Sequence, residues 1–350
     1  MPINWSKPRR YHSSIFSAIG RTPMVQLNRI PAAAGVKARV LVKVEYFSPS
    51  GSLKDRIYWN MFERAERRGA LKKGMTVLEC STGNAGIGCA FVSAVKGYPC
   101  IIVMPEGMSD ERKKLDVAYG AQMVYTPGGE SDVDLALEKL ESIRRQSPKQ
   151  YFVPAQFENP DNIDAHIRTT GPEIWEQTGG RIDGFIMTQG TGGTLTGVGR
   201  YIRKRKKGLR LFAIEPAECP LLSRRQWGPH GIEGIGDGFV PKNLDVSLLN
   251  GIVTTTTEES MSMARRLARE EGIFCGVSSG ANVAGAIKLA AAHPELKMIV
   301  TLICDTGQRY FSTELCGNPK HVEIPERDHP MDPYTTRQLN RYQKGWEIID

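Results

Sequence analysis

The stretch "SPSGSLKDR", Ser48 to Arg56, places a lysine directly after a Pro/Ser/Gly turn and at the start of a predicted helix. The N-terminus of a helix carries partial positive charge, so Lys54 lies at the end where its own charge is unfavourable. One explanation is that Asp55 neutralises the ammonium group while the side chain extends into water. The alternative is that the protein needs an amine that readily loses its proton and acts as a nucleophile.

A loop rich in glycine and hydroxyl groups, "ECSTGNAGIG", includes the end of the predicted strand "TVLEC". Ligands of parallel α/β folds bind in loops beyond the carboxyl ends of strands. Ser81, Thr82, the backbone of Gly83 and the amide of Asn84 supply neutral donors at a helix start, a combination that suits a carboxylate. A cluster that only caps the helix explains the residue types but not their number.

A second loop, "TQGTGGTLTGVGRYI", follows the predicted strand "GFIMTQ" and opens another helix. Successive backbone N–H groups and two hydroxyls at a helix N-terminus can hold a phosphate. These groups come from Gly190, Thr191, Gly192, Gly193 and Thr194. A dinucleotide site, with Glu215 as the ribose acid, is an alternative, but its third glycine would fall at Leu195. A purely structural glycine turn is the other alternative.

A nucleophilic lysine, a phosphate loop and a carboxylate loop together indicate pyridoxal 5'-phosphate. The lysine would form a Schiff base with the cofactor aldehyde, the phosphate would anchor the cofactor, and the carboxylate loop would orient an amino acid. The pyridine nitrogen also needs a partner, and Asp305 and Thr306 in "LICDTGQRY" both qualify by type. An aspartate would keep the ring protonated, whereas a hydroxyl would leave it neutral and favour elimination.

The composition is that of an ordinary globular protein. Part of the net charge of +8 lies in "YIRKRKKGLR", but this run ends a predicted helix before Gly208, where cations complement the helix dipole. We therefore expect an anionic small-molecule ligand and no nucleic-acid partner. The apolar runs are too short to cross a bilayer, and the N-terminal residues do not resemble a secretory signal. The seven scattered cysteines indicate neither disulfides nor a metal site, so we expect a cytoplasmic protein.

Predicted strands and amphipathic helices alternate along the chain, which indicates an α/β protein with parallel sheets covered by helices. The predicted strands are "TVLEC", "CIIVMP", "AQMVYTP", "YFVP", "GFIMTQ", "LRLFAIEP" and "MIVTLIC". The predicted helices between them include "SDERKKLDVAYG", "SDVDLALEKLESIRRQ", "EESMSMARRLAREEG" and "ANVAGAIKLAAAH".

Nine landmarks follow one another between about Ser14 and Thr313: "IGRTPMVQLNRI", "SPSGSLKDR", "STGNAGIG", "MPEGMSDERKKLDVAYGA", "QFENPDN" with "TTGPEIW", "GTGGTLTGVGRYI", "GIEGIGDGF", "GVSSGA" and "DTGQRY". In this order they resemble the cysteine synthase/cystathionine β-synthase family of fold-type II pyridoxal-phosphate enzymes. The chain looks most similar to the O-acetylserine sulfhydrylase-like cysteine synthases of that family.

The resemblance implies a role for each candidate residue. Lys54 would carry the cofactor as a Schiff base, Asn84 would bond the cofactor's ring oxygen, and the Gly190 to Thr194 loop would bind its phosphate. Thr306 rather than Asp305 would take the pyridine nitrogen, because the family has a serine there. The residues implied at the substrate are Ser81, Thr82, Asn84, Ala85 and Gln156.

The resemblance also implies a two-domain α/β architecture similar to the tryptophan synthase β fold, with parallel and mixed sheets flanked by helices. Residues 45–155 would form a smaller, mobile domain that closes over the substrate. Residues 1–44 and 156–350 would form the larger domain that binds the cofactor phosphate and includes the C-terminal tail. A homodimer is the family expectation.

The reaction that the resemblance implies is β-substitution on an activated L-serine through an aminoacrylate intermediate, with O-acetylserine and sulfide giving L-cysteine and acetate. Alternatives on the same scaffold are a cystathionine β-synthase, a 2,3-diaminopropionate synthase, a serine or cysteine lyase, or a non-catalytic regulatory paralogue. Ala85, Ser48 and Gln308 depart from the usual threonine, asparagine and glutamate of the family. These departures leave the leaving group and the nucleophile open.

The leaving group can be weighed on one further motif. Family members that prefer phosphoserine carry an arginine near the "GIEGIG" segment, where this chain has Glu233 and Ile235. That difference favours O-acetylserine. Arg224 and Arg225 lie close enough in the sequence to keep phosphoserine as an alternative.

Overall fold

Two sheets form the framework of the part of the chain that the structure, a computed structural model, describes: residues 11–128, 133–236 and 238–317. The strands are β1 (Met24–Gln26), β2 (Arg39–Val44), β3 (Thr76–Cys80), β4 (Cys100–Pro105), β5 (Gln122–Thr126), β6 (Tyr151–Phe152), β7 (Gly184–Thr188), β8 (Arg210–Pro216), β9 (Gly251–Thr255) and β10 (Met298–Ile303). The larger sheet has the order β1-β2-β10-β7-β8-β9, and the smaller has the order β5-β4-β3-β6. Only the β1–β2 pairing is antiparallel among these strands.

Helices cover the sheets. They are α1 (Arg29–Ala33), α2 (Lys54–Arg67), α3 (Asn84–Lys96), α4 (Asp110–Ala118), α5 (Val133–Gln146), α6 (Pro160–Arg168), α7 (Thr170–Gln177), α8 (Gly193–Arg203), α9 (Leu221–Arg224), α10 (Thr257–Arg266) and α11 (Val277–Ala292). A π-helical turn, Leu267–Glu271, extends α10. The α/β class and the mixed and parallel sheets predicted from the sequence are confirmed. No helix in the described ranges is long and apolar enough to span a membrane.

The predicted strands are all present, but three more were not predicted. The missed strands are β1, β2 and β9. In β2 the sequence "RVLVKV" places Lys43 among apolar residues, and this lysine is buried because its ammonium group pairs with Glu173 at 2.8 Å. Helix α11 also begins earlier than its pattern predicted, at Val277, so the "GVSSGA" segment forms its first turn.

The two sheets use separate parts of the chain, although the described residues up to Gly317 form one compact unit. The smaller sheet takes its strands from residues 76–152 and the larger from residues 24–44 and 184–303. Helices α2 and α3 pack on the smaller sheet, with Phe62, Cys89, Ile102 and Met104 in one buried apolar cluster. A mobile domain of residues 45–155 stays a prediction.

A buried ion-pair cluster joins helix α2 to the larger sheet. Arg56, whose side chain is fully buried, donates to Glu45 at 2.7 and 2.9 Å and to Glu173 at 2.6 and 2.8 Å. Although burial opposes the charge of Glu173, Arg56 and Lys43 hold the pKa of this carboxyl at about 2. The guanidinium thus satisfies one fully buried carboxylate, Glu45, and one largely buried carboxylate, Glu173.

A second buried carboxyl, Asp116 on α4, lacks such partners. Neither of its oxygens has a hydrogen-bond partner among the described residues, and the backbone of Gly86 covers them. Burial raises the pKa of Asp116 to about 8, although the positive charges of Arg309 and Arg112 oppose this shift. Asp116 is therefore protonated in the folded protein over a pH range in which an unfolded aspartate is charged.

Replacing Arg56 with alanine is expected to lower the free energy of unfolding by about 3–5 kcal/mol, because Glu45 and Glu173 lose their shared cation while buried. Urea denaturation measures the loss. Lys242→Ala is the control, since it removes an exposed pair with Glu158 and should cost less than about 1 kcal/mol. Similar losses in the two variants would contradict the importance of the buried cluster.

Asp116→Asn is expected to change the pH dependence of stability. Between about pH 4 and pH 8 the folded wild type binds a proton at Asp116 that the unfolded chain has released, so its stability falls as the pH rises. The asparagine variant cannot bind this proton. As the pH rises, its free energy of unfolding relative to that of wild type should therefore increase by up to about 1.4 kcal/mol per pH unit. Denaturation at about pH 5 and about pH 8 measures the difference.

The control for this experiment is Asp110→Asn, on the same helix but with an exposed carboxylate. Its stability relative to wild type should not vary with pH over the same range. A constant difference between Asp116→Asn and wild type would show that this carboxyl is not held protonated in the fold.

Candidate active site

One cavity lies at the carboxyl ends of β3, β7 and β10. Its wall includes Lys54, the loop after β3, the loop after β7 and the segment Glu233–Ile235. Ser278, in the first turn of α11, and Cys304, directly after β10, complete the side next to the larger sheet. Ligands of parallel α/β folds bind at this end of the strands, so the position agrees with the sequence prediction.

Lys54 is held in place by the backbone on both sides. The N–H of Leu53 donates to the carbonyl of Cys304 at 3.0 Å, which attaches the turn before α2 to the end of β10. A Cβ on Gly88 of α3 would lie 3.1 Å from the Lys54 Cβ, so this glycine lets the two helices approach. Asp55 accepts hydrogen bonds from the N–H of Ser50, at 2.7 Å, and from its hydroxyl, and thereby stabilises the turn.

The loop after β3 is shaped by its own first hydroxyl. Ser81 Oγ accepts from the N–H groups of Gly83, at 3.0 Å, and Gly86, at 2.7 Å. This leaves the start of α3 turned toward the cavity. Next to the start of this loop, the side-chain oxygen of Gln156 is buried and has no hydrogen-bond partner among the described residues. A ligand with polar groups would satisfy this wall of the cavity.

Asn84 is fixed at both ends of its amide. Its Nδ2 donates to Asp305 Oδ2 at 2.7 Å, and its Oδ1 accepts from the guanidinium of Arg309. Asp305 also accepts from the hydroxyl of Tyr310 at 2.9 Å. These contacts join the first residue of α3 to the segment that follows β10, so the amide has a defined orientation before any ligand binds.

The loop after β7 fits a phosphate. Gly192 has φ of +78°, which favours glycine, and a Cβ on Gly190 would lie 2.8 Å from the carbonyl oxygen of Gly234. Helix α8 begins at Gly193 without a side-chain cap. Since the first turn of a helix leaves N–H groups without intrahelical partners, this loop presents donors suited to an anion.

A buried histidine supports the phosphate loop from behind. His166 Nε2 lies 3.1 Å from the hydroxyl of Thr194, and its Nδ1 lies 2.9 Å from that of Thr170. Burial lowers the pKa of His166 to about 3, so the ring is neutral. Asn162 donates to the hydroxyl of Thr191 at 3.0 Å. Thr191 and Thr194 are thus oriented by neutral groups. The positive potential of the loop therefore comes from its backbone dipoles alone.

The structure brings ten of the predicted site residues together in this cavity: Lys54, Ser81, Thr82, Asn84, Ala85, Gln156, Gly190, Thr191, Gly192 and Thr194. Gly193 is not part of the cavity wall, because it packs against the amide of Asn162. No group of His, Cys, Asp or Glu side chains in the described ranges could hold a metal ion.

Thr306, predicted as the pyridine-nitrogen partner, is not brought to the cavity wall. Its hydroxyl accepts from the N–H of Gln308 at 3.3 Å and caps the short helix Gly307–Tyr310. Ser278 is in the wall instead. Burial raises the pKa of the Cys304 thiol to about 12, whereas the charge of Lys54 and a hydrogen bond with Ser278 lower it.

Several residues of the cavity wall had no catalytic or binding role in the sequence prediction, among them Arg112, Glu233, Ser278 and Cys304. Three of these four belong to motifs that the sequence did single out, namely "MPEGMSDERKK", "GIEGIG" and "GVSSGA". The motifs were therefore the available signal, and only the fold shows which of their residues face the cavity.

Comparison with known proteins agrees with this geometry. Residues 15–305 match the family model described as pyridoxal-phosphate dependent enzyme. The chain is 47% identical to cysteine synthase A of Escherichia coli (strain K12), over 85% of this chain and 93% of the relative. Cysteine synthase from Entamoeba histolytica has a similar structure, with a TM-score of 0.85, 38% identity, and coverage of 92% of this chain and 96% of that one.

O-ureido-L-serine synthase is also similar in structure. The TM-score is 0.83 and the identity 40%, with coverage of 90% of this chain and 98% of that one. The family match covers most of the chain and includes every strand of both sheets. The chain belongs to the family of pyridoxal-phosphate dependent enzymes.

Proposed function

We propose that this chain catalyses β-replacement on an activated L-serine, with O-acetyl-L-serine and sulfide giving L-cysteine and acetate. The observation that carries the proposal is that one cavity holds a lysine, a phosphate loop and a carboxylate loop. The identity of 47% to a cysteine synthase over 85% of the chain supports the same reaction.

The cavity fits pyridoxal 5'-phosphate. The loop from Gly190 to Thr194 would hold the phosphate, Lys54 Nζ would bond to the aldehyde carbon, and Asn84 would bond the ring oxygen. Ser278 would take the pyridine nitrogen, since this residue lines the cavity and Thr306 does not. When bound, the cofactor supplies an electron sink for the negative charge that develops at Cα of the substrate.

The residues around the cofactor would bind the substrate and remove its Cα proton. The donors from Ser81 to Asn84, with Gln156, would hold the α-carboxylate. Lys54 Nζ, freed when the substrate amine takes its place, would remove the Cα proton, because the fold keeps it within reach. Ala85 places a methyl group in this wall, where a larger polar side chain would reduce the space for substrate.

Closure of a smaller domain, residues 45–155, is part of the proposal. Helix α4 already contacts the segment after β10: Ser109 Oγ donates to the carbonyl of Arg309 at 3.1 Å, and Glu111 accepts from the hydroxyl of Ser312 at 2.6 Å. These few polar contacts can break and reform. We also propose a cytoplasmic homodimer, which sedimentation and cell fractionation would test. The C-terminal tail beyond Gly317 lies outside the described residues.

A second candidate function differs in the nucleophile. The structural similarity to O-ureido-L-serine synthase, at 40% identity, supports a β-replacement whose product is not cysteine. Product analysis with sulfide and with other nucleophiles, each added to the enzyme and O-acetyl-L-serine, separates the two candidates.

Lys54→Ala is expected to abolish both turnover and the visible absorption of the lysine-bound cofactor. Absorbance spectra before and after addition of O-acetyl-L-serine, with sulfide-dependent cysteine formation, measure the two effects. The control is Lys72→Ala, which removes an exposed lysine just beyond the same helix and should leave both unchanged. Normal turnover in Lys54→Ala would refute the assignment.

Ser278→Ala and Thr306→Ala form a matched pair that tests the pyridine-nitrogen partner. Loss of the Ser278 hydroxyl should shift the cofactor's visible absorption and weaken cofactor retention on dialysis, because the ring nitrogen loses its hydrogen bond. Thr306→Ala should keep the wild-type spectrum and lose only the helix cap, about 1 kcal/mol of stability. If Thr306→Ala shifts the absorption and Ser278→Ala does not, Thr306 is the partner of the pyridine nitrogen.

A further inference from the structure

Among the described residues of the cavity wall, three are charged: Lys54, Arg112 and Glu233. In the proposed function Lys54 is bonded to the cofactor. Arg112 and Glu233 form an ion pair with each other across the cavity. Neither has a task in the reaction described so far.

Arg112 is held rigidly next to the carboxylate loop. It is buried on α4, its Nη2 donates to the hydroxyl of Tyr310 at 2.9 Å, and its guanidinium lies 4.9 Å from the centre of the Tyr310 ring. A Cβ on Gly83 would lie 2.8 Å from the Arg112 Nε. The cation therefore packs directly on the loop that would hold the substrate.

Glu233 approaches from the opposite side. It precedes Gly234, whose carbonyl oxygen packs against Gly190 of the phosphate loop. The Glu233 side chain keeps 21% of its surface exposed, whereas that of Arg112 keeps 2%. The ion pair thus spans the cavity from the carboxylate loop to the phosphate loop, with the carboxylate on the solvent side.

We propose that the Arg112–Glu233 ion pair determines which Cβ substituents the cavity accepts, admitting uncharged groups such as acetyl and excluding anionic groups such as phosphoryl. The inference rests on the proposed function and names its substrate class. A phosphoryl group can reach the guanidinium only by displacing Glu233, which then loses its partner in a partly buried site. The α-carboxylate has neutral donors of its own and does not need Arg112.

Glu233→Gln tests the proposal, because the amide keeps the shape of the side chain but no longer neutralises Arg112. The ratio of kcat/KM for O-phospho-L-serine to that for O-acetyl-L-serine, both with sulfide, should rise at least about tenfold. The gain should appear in KM, since it comes from the positive charge of Arg112, which Glu233 no longer neutralises. Glu106→Gln makes the same change in net charge at an exposed position outside the cavity and should keep the wild-type ratio.

A ratio within about twofold of wild type in Glu233→Gln would overturn the proposal. If kcat/KM changes equally for both substrates, the ratio is unchanged, and the ion pair acts at the α-carboxylate instead. The double variant with Arg112→Gln should lose the gain, and if that variant does not fold, the phosphate affinity of Glu233→Gln still decides.

Binding of inorganic phosphate to the holoenzyme separates this inference from the proposed function. Calorimetry should show at least about tenfold tighter phosphate binding to Glu233→Gln than to wild type. Equal affinities would overturn the inference whatever the activity. If wild type turns over neither serine derivative and yet the phosphate affinity rises as expected, the reaction assignment fails while the role of the ion pair stands.

Discussion

The backbone pairing between the turn before α2 and the end of β10 is the constraint on which the site depends. Strand β10 lies inside the larger sheet, between β2 and β7. Ser52 pairs with Asp305, and the N–H of Leu53 donates to the carbonyl of Cys304. Lys54 is the next residue. Its backbone is therefore positioned by a central strand of the larger sheet rather than by a flexible loop.

The same segment after β10 also orients the other sheet's contribution. Asp305 accepts from Asn84, the first residue of α3, while Arg309 donates to the same amide and to the carbonyl of Ser50. One short stretch of chain therefore coordinates the lysine turn and the loop after β3. These polar contacts therefore connect the smaller sheet to the segment that follows the central strand of the larger one.

Much of the site could be predicted from local patterns in the sequence. Lys54 and the two glycine loops could be predicted because glycine, hydroxyl and amide groups at a strand end have few other uses. The position of Ser278 in the cavity wall could not be predicted. The start of α11 lies next to the segment after β10, where Cys275 pairs with Thr306, and this pairing leaves no local pattern in the sequence.

Strand β2 and the Arg112–Glu233 ion pair were missed for the same reason. Lys43 interrupts an apolar run and Arg112 lies in a charged helix, so each looks solvent-exposed in the sequence. Each is buried because a carboxylate from a distant element, Glu173 or Glu233, meets it. Periodicity detects apolar burial, but it cannot detect a charge whose partner lies elsewhere in the chain.

The distribution of charge in the cavity explains how one site can serve the phosphate of a cofactor and the α-carboxylate of a substrate. The phosphate loop relies on backbone dipoles and on threonines oriented by the neutral His166, and the carboxylate loop relies on uncharged donors. Neither loop adds a side-chain charge of its own, so neither changes the selectivity of the other. Discrimination by charge is left to Arg112 and Glu233, and a single substitution there can change what is accepted without altering how the cofactor is held.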